Sequence, residues 1–158
     1  MAVLNERELE ALEAYRGYVV QRERCVTGAA PWTAIGSWFT EDAVFIDPAW
    51  GRVVGRDEIT RFLDHSMAGL EGWSFPEQWT MVDGDRVVTY WWNRLPGARG
   101  DGSAYQAPAF SVLHYAGDGL FDYELDLVNI AEVTDLLIES AWVPAPACPC
   151  RGHDPTET

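Results

Sequence analysis

The hydrophobic period of the chain changes at Trp73, and this change constrains the fold more than any other feature. Before Trp73 apolar residues recur at helical spacing, whereas after it they alternate, as in strands that bury one face. Two Gly-Asp turns, at 83–85 and 117–119, and a longer loop at 95–103 separate four such segments, which predicts an antiparallel meander of hairpins. The predicted strands are Trp73–Val82, Arg86–Arg94, Tyr105–Ala116 and Leu120–Asn129.

The first half of the chain predicts helices and one short strand. Ala43–Ile46 favours a strand that Asp47 closes, because Pro48 restricts the preceding residue to an extended conformation. Helices that precede a long antiparallel sheet are the α+β pattern. We therefore expect a curved antiparallel sheet wrapped around three helices, forming a cone with one pocket. The predicted helices are Asn5–Val26, a short helix from Pro31 to near Phe39, Arg56–Ala68 and a final helix at Ile130–Ser140.

A length of 158 residues fits one domain, which we place at 1–142, followed by a flexible Pro-rich tail at 143–158. In the tail, Cys148, Cys150 and His153 lack the spacing and the fourth ligand of a structural zinc site, so we expect no metal. The sheet face that the helices leave uncovered carries tryptophans and branched residues. We expect a homodimer to cover that face.

The net charge of -14 argues against nucleic acid as a partner, because no basic stripe is present to neutralise phosphates. It also disfavours anionic membrane surfaces, and no apolar run approaches the ~18 residues that a membrane-spanning helix requires. Three cysteines do not form a disulfide framework, so a reducing cytoplasm is the simplest compartment. The sequence contains no phosphate loop, serine elbow or nicotinamide fingerprint, and we expect no cofactor.

The segment Phe39-Thr40-Glu41-Asp42-Ala43-Val44-Phe45-Ile46-Asp47-Pro48, continued by Gly55-Arg56-Asp57-Glu58-Ile59, carries a family resemblance. It resembles the SnoaL-like and ketosteroid isomerase-like branch of the nuclear transport factor 2-like superfamily. The order of predicted elements from Asn5 to about Ile138 is similar as well. The resemblance implies a cystatin-like roll with one pocket. This scaffold hosts isomerases, cyclases, dehydratases, epoxide hydrolases and binding modules, so the resemblance leaves the reaction open.

The resemblance places a proton-shuttling aspartate at Asp47 and an oxyanion-stabilising tyrosine at Tyr18, for which Tyr15 is a competitor. A carboxylate in an apolar cavity loses hydration and becomes basic enough to take a proton, although Asp47 could equally cap the end of its strand. The second oxyanion donor of ketosteroid isomerases has no counterpart, because Phe110 or Ser111 occupies its position.

The last predicted strand carries further acids. Glu124 and Asp126 lie two residues apart and therefore on one side of the strand, and Asp122 extends the row. Asp126 resembles one aspartate of the limonene epoxide hydrolase triad, but Trp91 and Asn93 occupy the places of its Arg-X-Asp pair. If the row faces the cavity, two close carboxyl groups cannot both ionise and one acts as an acid; otherwise the row is a solvated face.

Aromatic residues complete the predicted site. His65 could titrate beside a pocket carboxylate or bond to a backbone group at the edge of its helix. A shift of one residue in the strand register would move Trp91 and Asn93 to the opposite face. The candidate walls of the pocket are Trp38, Trp50, Phe62, Trp73, Trp79 and Trp91.

Together these residues predict a cofactor-independent acid–base enzyme that acts on a small hydrophobic, oxygenated molecule. The resemblance implies isomerisation, cyclisation, dehydration or epoxide opening. In this interpretation Asp47 moves the proton, Tyr18 or Tyr15 stabilises negative charge, and Asp126 with Glu124 supplies the acid. The alternative is a non-catalytic module of the same fold that binds a small molecule or only dimerises. Convergence of several polar groups inside one cavity would favour the enzyme.

Overall fold

The computed structural model describes residues 3–144. Helices and strands alternate at first, and the second half of the described chain is mainly a strand meander that ends in a helix. The elements are α1 (Glu6–Val26), a short 3-10 helix (Trp32–Trp38), β1 (Phe39–Asp47), β2 (Gly51–Val54), α2 (Arg56–Ser66), β3 (Glu77–Asp83), β4 (Arg86–Ala98), β5 (Ala104–Gly117), β6 (Leu120–Val128) and α3 (Ile130–Ser140).

Helix α1 begins at a capping box and buries one face. The Asn5 side chain accepts a hydrogen bond from the Glu8 backbone N–H at 3.0 Å, and the Glu8 carboxylate accepts one from the Asn5 N–H at 2.8 Å. This reciprocal pair satisfies two backbone donors that the first turn of a helix leaves free. The buried face includes Tyr15, Tyr18 and Arg22, whose spacing places them on one side of the helix.

The six strands form one curved, unclosed mixed sheet in the order β2-β1-β6-β5-β4-β3. Strands β3 to β6 pair antiparallel through consecutive hairpins, as the turn sequences predict. Strand β1, however, pairs with β6 in parallel, and β2 pairs with β1 antiparallel. Hairpins are local and readable from turn residues, whereas a parallel pair needs a long connection that leaves no local signal. The α+β fold is as predicted, but the predicted sheet was antiparallel throughout and did not include the parallel pairing of β1 with β6.

Two strands at the edges of the sheet, β3 and β2, differ from the prediction. Strand β3 begins at Glu77, and the preceding segment is held to β4 by an isolated bridge between Ser74 and Arg94. Pro76 lies just before the strand, where its missing N–H removes no ladder hydrogen bond. Strand β2 was not predicted; it pairs back on β1 through the turn after Asp47.

A bulge in β6 changes which residues face the core. Phe121 pairs with Tyr115 and Tyr123 with His114, so Asp122 has no paired partner. The extra residue shifts the alternation by one, and Phe121 and Glu124 are both buried although they lie three positions apart. The prediction that Asp122 extends the row of Glu124 and Asp126 is therefore wrong, and its carboxylate instead contacts His114 Nδ1 at 2.6 Å.

The core consists of two apolar clusters. The larger one contains Phe39, Phe121 and Ile35, and the smaller one contains Trp73 and Leu136. Within the described residues, no helix is long and apolar enough to cross a membrane. The tail residues discussed above, Cys148, Cys150 and His153, lie outside the described residues.

Candidate active site

A cavity of about 360 Å³ lies between the helices and the concave face of the sheet. It is lined by residues from both apolar clusters, so the cavity is a gap in the core where the two clusters meet. Such a volume lies in the range of small-molecule sites, which are mostly apolar with a few placed polar groups. Its apolar walls include Phe45, Phe62, Trp73, Phe75, Trp91 and Trp142.

Polar side chains converge on the same cavity from the helix, the sheet and a turn. Three of them are carboxyl groups, which is an unusual concentration in an apolar cavity because each loses hydration there. The polar residues of the lining are Tyr18, Arg22, Asp47, Asn93, Ser111, Glu124 and Asp126, with Ser66 on α2.

Glu124 is held by Tyr18 at the buried end of this group. The Tyr18 hydroxyl lies 3.0 Å from Oε2 and 3.2 Å from Oε1 of Glu124, and both residues are almost fully buried. Burial, with the nearby charge of Asp126, raises the pKa of Glu124 well above its ordinary value. Burial likewise raises the pKa of Tyr18. Both shifts favour the protonated form of the group.

Asp126 is anchored by a chain of two hydrogen bonds from the neighbouring strands. The Trp91 indole N–H donates to the Ser111 hydroxyl at 2.9 Å, and that hydroxyl donates to Oδ1 of Asp126. The pKa of Asp126 is raised to about 6, mainly by burial; the hydrogen bond from Ser111 opposes this rise, and the charge of Asp47 contributes to it. Asp126 is thus mainly ionised at neutral pH and takes a proton easily.

Glu124 and Asp126 are two carboxyl groups on one side of β6. They lie two residues apart, and the charge of Asp126 raises the pKa of Glu124, so ionising both would bring two negative charges together in a medium of low polarity. The arrangement that avoids this cost is a neutral Glu124 beside an ionised Asp126. A neutral acid and a carboxylate that share one proton can give and accept protons in turn.

Asp47 lies at the rim of the cavity and also caps a turn. Its Oδ1 accepts hydrogen bonds from the backbone N–H groups of Ala49 at 2.7 Å and Trp50 at 2.9 Å. The side chain is only partly buried, yet it is part of the cavity lining. Asp47 therefore caps the turn after its strand, as the capping interpretation predicts, and it also lines the cavity, as the functional interpretation requires.

Five further predicted residues line the cavity, namely Trp50, Phe62, Trp73, Trp91 and Asn93. Pairing of Trp91 with Ala109 and of Asn93 with Ala107 fixes the strand register that places both side chains on the concave face. Trp50 is 62% exposed, which puts it at the edge of the cavity rather than in a wall.

Tyr15 and Trp38 do not line the cavity, contrary to the prediction. The Tyr15 hydroxyl donates to Oε2 of Glu77 at 2.7 Å, away from the carboxyl pair. Trp38 packs edge-on against Tyr18, and a Cβ at Gly17 would lie only 2.5 Å from its ring. The missing side chain of Gly17 therefore lets Trp38 pack against α1 on the far side of the core.

Trp79 and His65 also lie elsewhere. A register shift between Glu77 and Trp79 turns Trp79 to the convex face, where it contacts Phe110 and is 42% exposed. His65 is exposed near the end of α2, and its ring contacts the Trp50 ring edge-on at 6.1 Å. Neither position is decided by residue type, because bulges and helix rotation set the facing of a side chain.

Sequence reasoning missed Arg22 and assigned no role to Ser111. Arg22 lies four residues after Tyr18 and three before Cys25, in the middle of the apolar stripe of α1. A charged residue at a stripe position is the signal that could have identified it. Among residues 3–144, no group of three His, Cys, Asp or Glu side chains has the arrangement of a metal site.

The model of the SnoaL-like domain matches residues 23–123 of this chain. The chain belongs to the SnoaL-like family. The match covers the segment from the end of α1 to the first part of β6, and thus Asp47 and the strands that carry Trp91 and Ser111. A comparison with curated proteins finds no match.

Solved structures with this SnoaL-like fold have low sequence identity to the chain. A protein described as a SnoaL-like polyketide cyclase from Jannaschia sp. CCS1 has a TM-score of 0.66 at 16% identity, covering 86% of this chain and 96% of that one. An LEH-like epoxide hydrolase from M. tuberculosis has a TM-score of 0.64 at 16% identity, covering 85% and 93%. A protein with a ketosteroid isomerase-like fold from Catenulispora acidiphila, in complex with trimethylamine, has a TM-score of 0.61 at 20% identity, covering 80% and 97%. At such identities these structures establish the fold alone.

Proposed function

We propose that this SnoaL-like protein is a cofactor-independent acid–base enzyme for a small, hydrophobic, oxygenated molecule. The observation that carries the proposal is the Glu124–Asp126 pair inside an apolar cavity, with Tyr18 on one carboxyl group and Ser111 on the other. A buried pair of unequal acidity is the arrangement that general acid–base catalysis needs.

In the proposed mechanism Asp126 is the base. Its Oδ1 is occupied by Ser111, which leaves Oδ2 to take a proton from a carbon next to a carbonyl group of the substrate. The electrons of the C–H bond move to the carbonyl oxygen and form an enolate. Return of the proton to another carbon of the enolate gives isomerisation. Attack of the enolate carbon on a second carbonyl carbon of the same molecule, with the proton returned to that carbonyl oxygen, gives cyclisation. Return of the proton to a hydroxyl group on the β-carbon, which then leaves as water while the C–O bond breaks, gives dehydration.

Glu124 and Asp47 have supporting roles in this proposal. Neutral Glu124 keeps Asp126 as the only ionised member of the pair, and Tyr18 holds Glu124 in place as a positioning residue. The charge of Asp47 at the rim makes Asp126 more basic. The sequence interpretation gave the proton transfer to Asp47, and the burial that raises the pKa of Asp126 to about 6 favours Asp126 for that role.

The test is exchange of the acidic protons of β-tetralone, a neutral bicyclic ketone, with deuterium from solvent, followed by NMR. We expect the wild type to accelerate exchange above the buffer rate and Asp126→Asn to lose about 100-fold of that acceleration. Asp122→Asn is the matched control, because Asp122 is an acid of the same strand that contacts His114 instead of the lining. No acceleration by the wild type, or full acceleration by Asp126→Asn, would contradict the proposal and favour a non-catalytic binding module.

We also propose that a second copy of the chain covers the convex face of the sheet. Trp79, Tyr90, Trp92 and Phe110 form a continuous aromatic group on that face, with ring centroids 5.0–5.8 Å apart. Trp79 and Phe110 remain 42% and 38% exposed. Exposed apolar patches of this kind mark association surfaces, and a two-fold axis lets the same patch cover itself.

A further inference from the structure

Arg22 is a buried cation in the cavity. The residue lies one helical turn after Tyr18 on α1, is only 9% exposed, and belongs to the cavity lining. Guanidinium groups remain charged at all physiological pH values, so the side chain of Arg22 brings a positive charge into the cavity lining.

The guanidinium uses few of its five N–H donors. Nη2 donates to the backbone carbonyl of Phe75 at 3.1 Å, and Nε has no hydrogen-bond partner among the described residues. Within residues 3–144 the only carboxylate closer than 4.0 Å is that of Glu23, 3.8 Å from Nε, whose side chain is 49% exposed. Neither Glu124 nor Asp126 forms an ion pair with Arg22. A buried charge with unsatisfied donors is unfavourable unless another group supplies the acceptors.

A second buried donor belongs to another residue of the cavity lining. The indole N–H of Trp73 has no partner among the described residues, and Trp73 is also part of the lining. The residues of the cavity lining therefore carry two kinds of polar group. One kind is the carboxyl groups of the proposed proton transfer, and the other is N–H donors that lack acceptor oxygens within residues 3–144. The rings of Phe75 and Trp91 contact each other with centroids 5.6 Å apart, and both residues lie in the apolar wall.

We infer that Arg22 binds an acidic oxygen of the ligand, so that the ligands of this cavity are apolar ring compounds that carry a carboxylate, an acidic enol or an acidic phenol. The apolar rings lie against Phe75 and Trp91, and the acidic oxygen accepts hydrogen bonds from the guanidinium. This inference deepens the proposed function, because the same molecule would present its reacting carbon to Asp126. Binding of the acidic oxygen itself involves no proton transfer.

The net charge of the protein makes a preference for anionic ligands a specific indication of a local cation. At -14 the chain repels anions at long range, so any preference for an anion has to come from a local cation. Arg22 is the cation of the cavity lining. A neutral analogue of the same shape should therefore bind more weakly than the anion.

The test compares naphthoate with naphthamide, substituted at the same ring position, by isothermal titration calorimetry at neutral pH. We expect the wild type to bind naphthoate about 10- to 100-fold more tightly, since hydrogen bonds to charged groups are the strong ones. Arg22→Met keeps the length of the side chain without its charge and should remove this preference, whereas Arg22→Lys should retain part of it. Equal affinity of the wild type for both probes, no binding of either probe, or an undiminished preference in Arg22→Met would overturn the inference.

Two readouts keep the test decisive. If circular dichroism shows that Arg22→Met does not fold, a crystal structure of the wild type with naphthoate replaces it. A carboxylate bonded to the guanidinium is expected, and a carboxylate placed elsewhere refutes the inference. The β-tetralone assay uses a neutral ketone and measures reaction, whereas the naphthoate assay measures binding alone. Exchange without anion preference therefore refutes only the role of Arg22, and anion preference without exchange refutes only the proposed catalysis.

Discussion

The two faces of the sheet depart in opposite ways from the usual distribution of polar and apolar residues. On the concave face, Thr89, Asn93 and Ser111 are buried polar residues. On the convex face, Tyr90 and Phe110 are aromatic, stacked at 5.0 Å, and partly exposed. Antiparallel sheets with one solvated face normally place apolar residues inward and polar residues outward.

This difference separates two kinds of requirement. A buried polar group is stable only with a partner, and Ser111 has two, Trp91 and Asp126. An exposed aromatic group is stabilised when another apolar surface covers it. The concave face thus points to chemistry inside one chain, and the convex face points to contact between chains.

The largest effect is expected on the convex face. Phe110→Asp places a charge at the centre of the aromatic group in both copies of a two-fold dimer, and should weaken dimerisation by about 100-fold or more. Analytical ultracentrifugation measures the change, with Ser37→Asp as the matched control, because Ser37 is an exposed residue of the 3-10 helix. β-Tetralone exchange per chain should persist. A wild type that is monomeric at micromolar concentration would remove the proposed role of this face.

The next largest effect concerns the free energy of unfolding, which the ionised carboxylate of Asp126 on the concave face lowers at neutral pH. The pKa of Asp126 rises from 3.8 in the unfolded chain to about 6 when folded, so the folded state binds more protons in that window and its contribution to stability falls as pH rises through it. Asp126→Asn should therefore raise the free energy of unfolding at neutral pH by on the order of 1–3 kcal/mol. Urea denaturation at several pH values measures this, with Asp122→Asn as the control. A less stable Asp126→Asn protein at neutral pH would contradict the prediction.

Ser111→Ala sharpens the assignment of Asp126 as the base. The bond from Ser111 lowers the pKa of Asp126, so its removal should move the midpoint of the exchange–pH profile above about 6. We expect exchange at neutral pH to fall about tenfold, because both orientation and ionised fraction decrease. Ser37→Ala controls for loss of a hydroxyl at a surface position. An unchanged midpoint would show that Asp126 does not set the profile.

The smallest effect distinguishes the two tyrosines of α1. Tyr18→Phe loses the hydrogen bond to Glu124 and should slow exchange several-fold, on the scale of one neutral hydrogen bond. Tyr15→Phe loses a bond to Glu77 outside the cavity and should leave exchange within about twofold. The same kinetic assay compares them at matched stability. An equal loss of exchange rate in both variants would contradict a specific role for the hydrogen bond from Tyr18 to Glu124.

Local features of this chain were predictable because their causes are local. The capping residue Asn5 fixes where α1 begins, and the turn glycines fix where the hairpins turn. The alternation in β4 placed Trp91 and Asn93 on one face of the strand, and the register with β5 made that the concave face. The family resemblance added Asp47, Tyr18 and Asp126, and all three line one cavity.

Only the tertiary structure decided two features of this protein. One is the face of the sheet on which a side chain lies after a bulge or a register shift, and the other is which strands pair when they are far apart in the chain. The bulge at Asp122 turns Glu124 and Asp126 into the cavity, and the shift after Glu77 turns Trp79 out of it. The parallel pairing of β1 with β6 brings Asp47 close to Asp126. Each of these depends on contacts between residues far apart in the chain, whose free energies no short segment contains. The sequence by itself thus determined which chemical groups are present, and packing decided which of them meet.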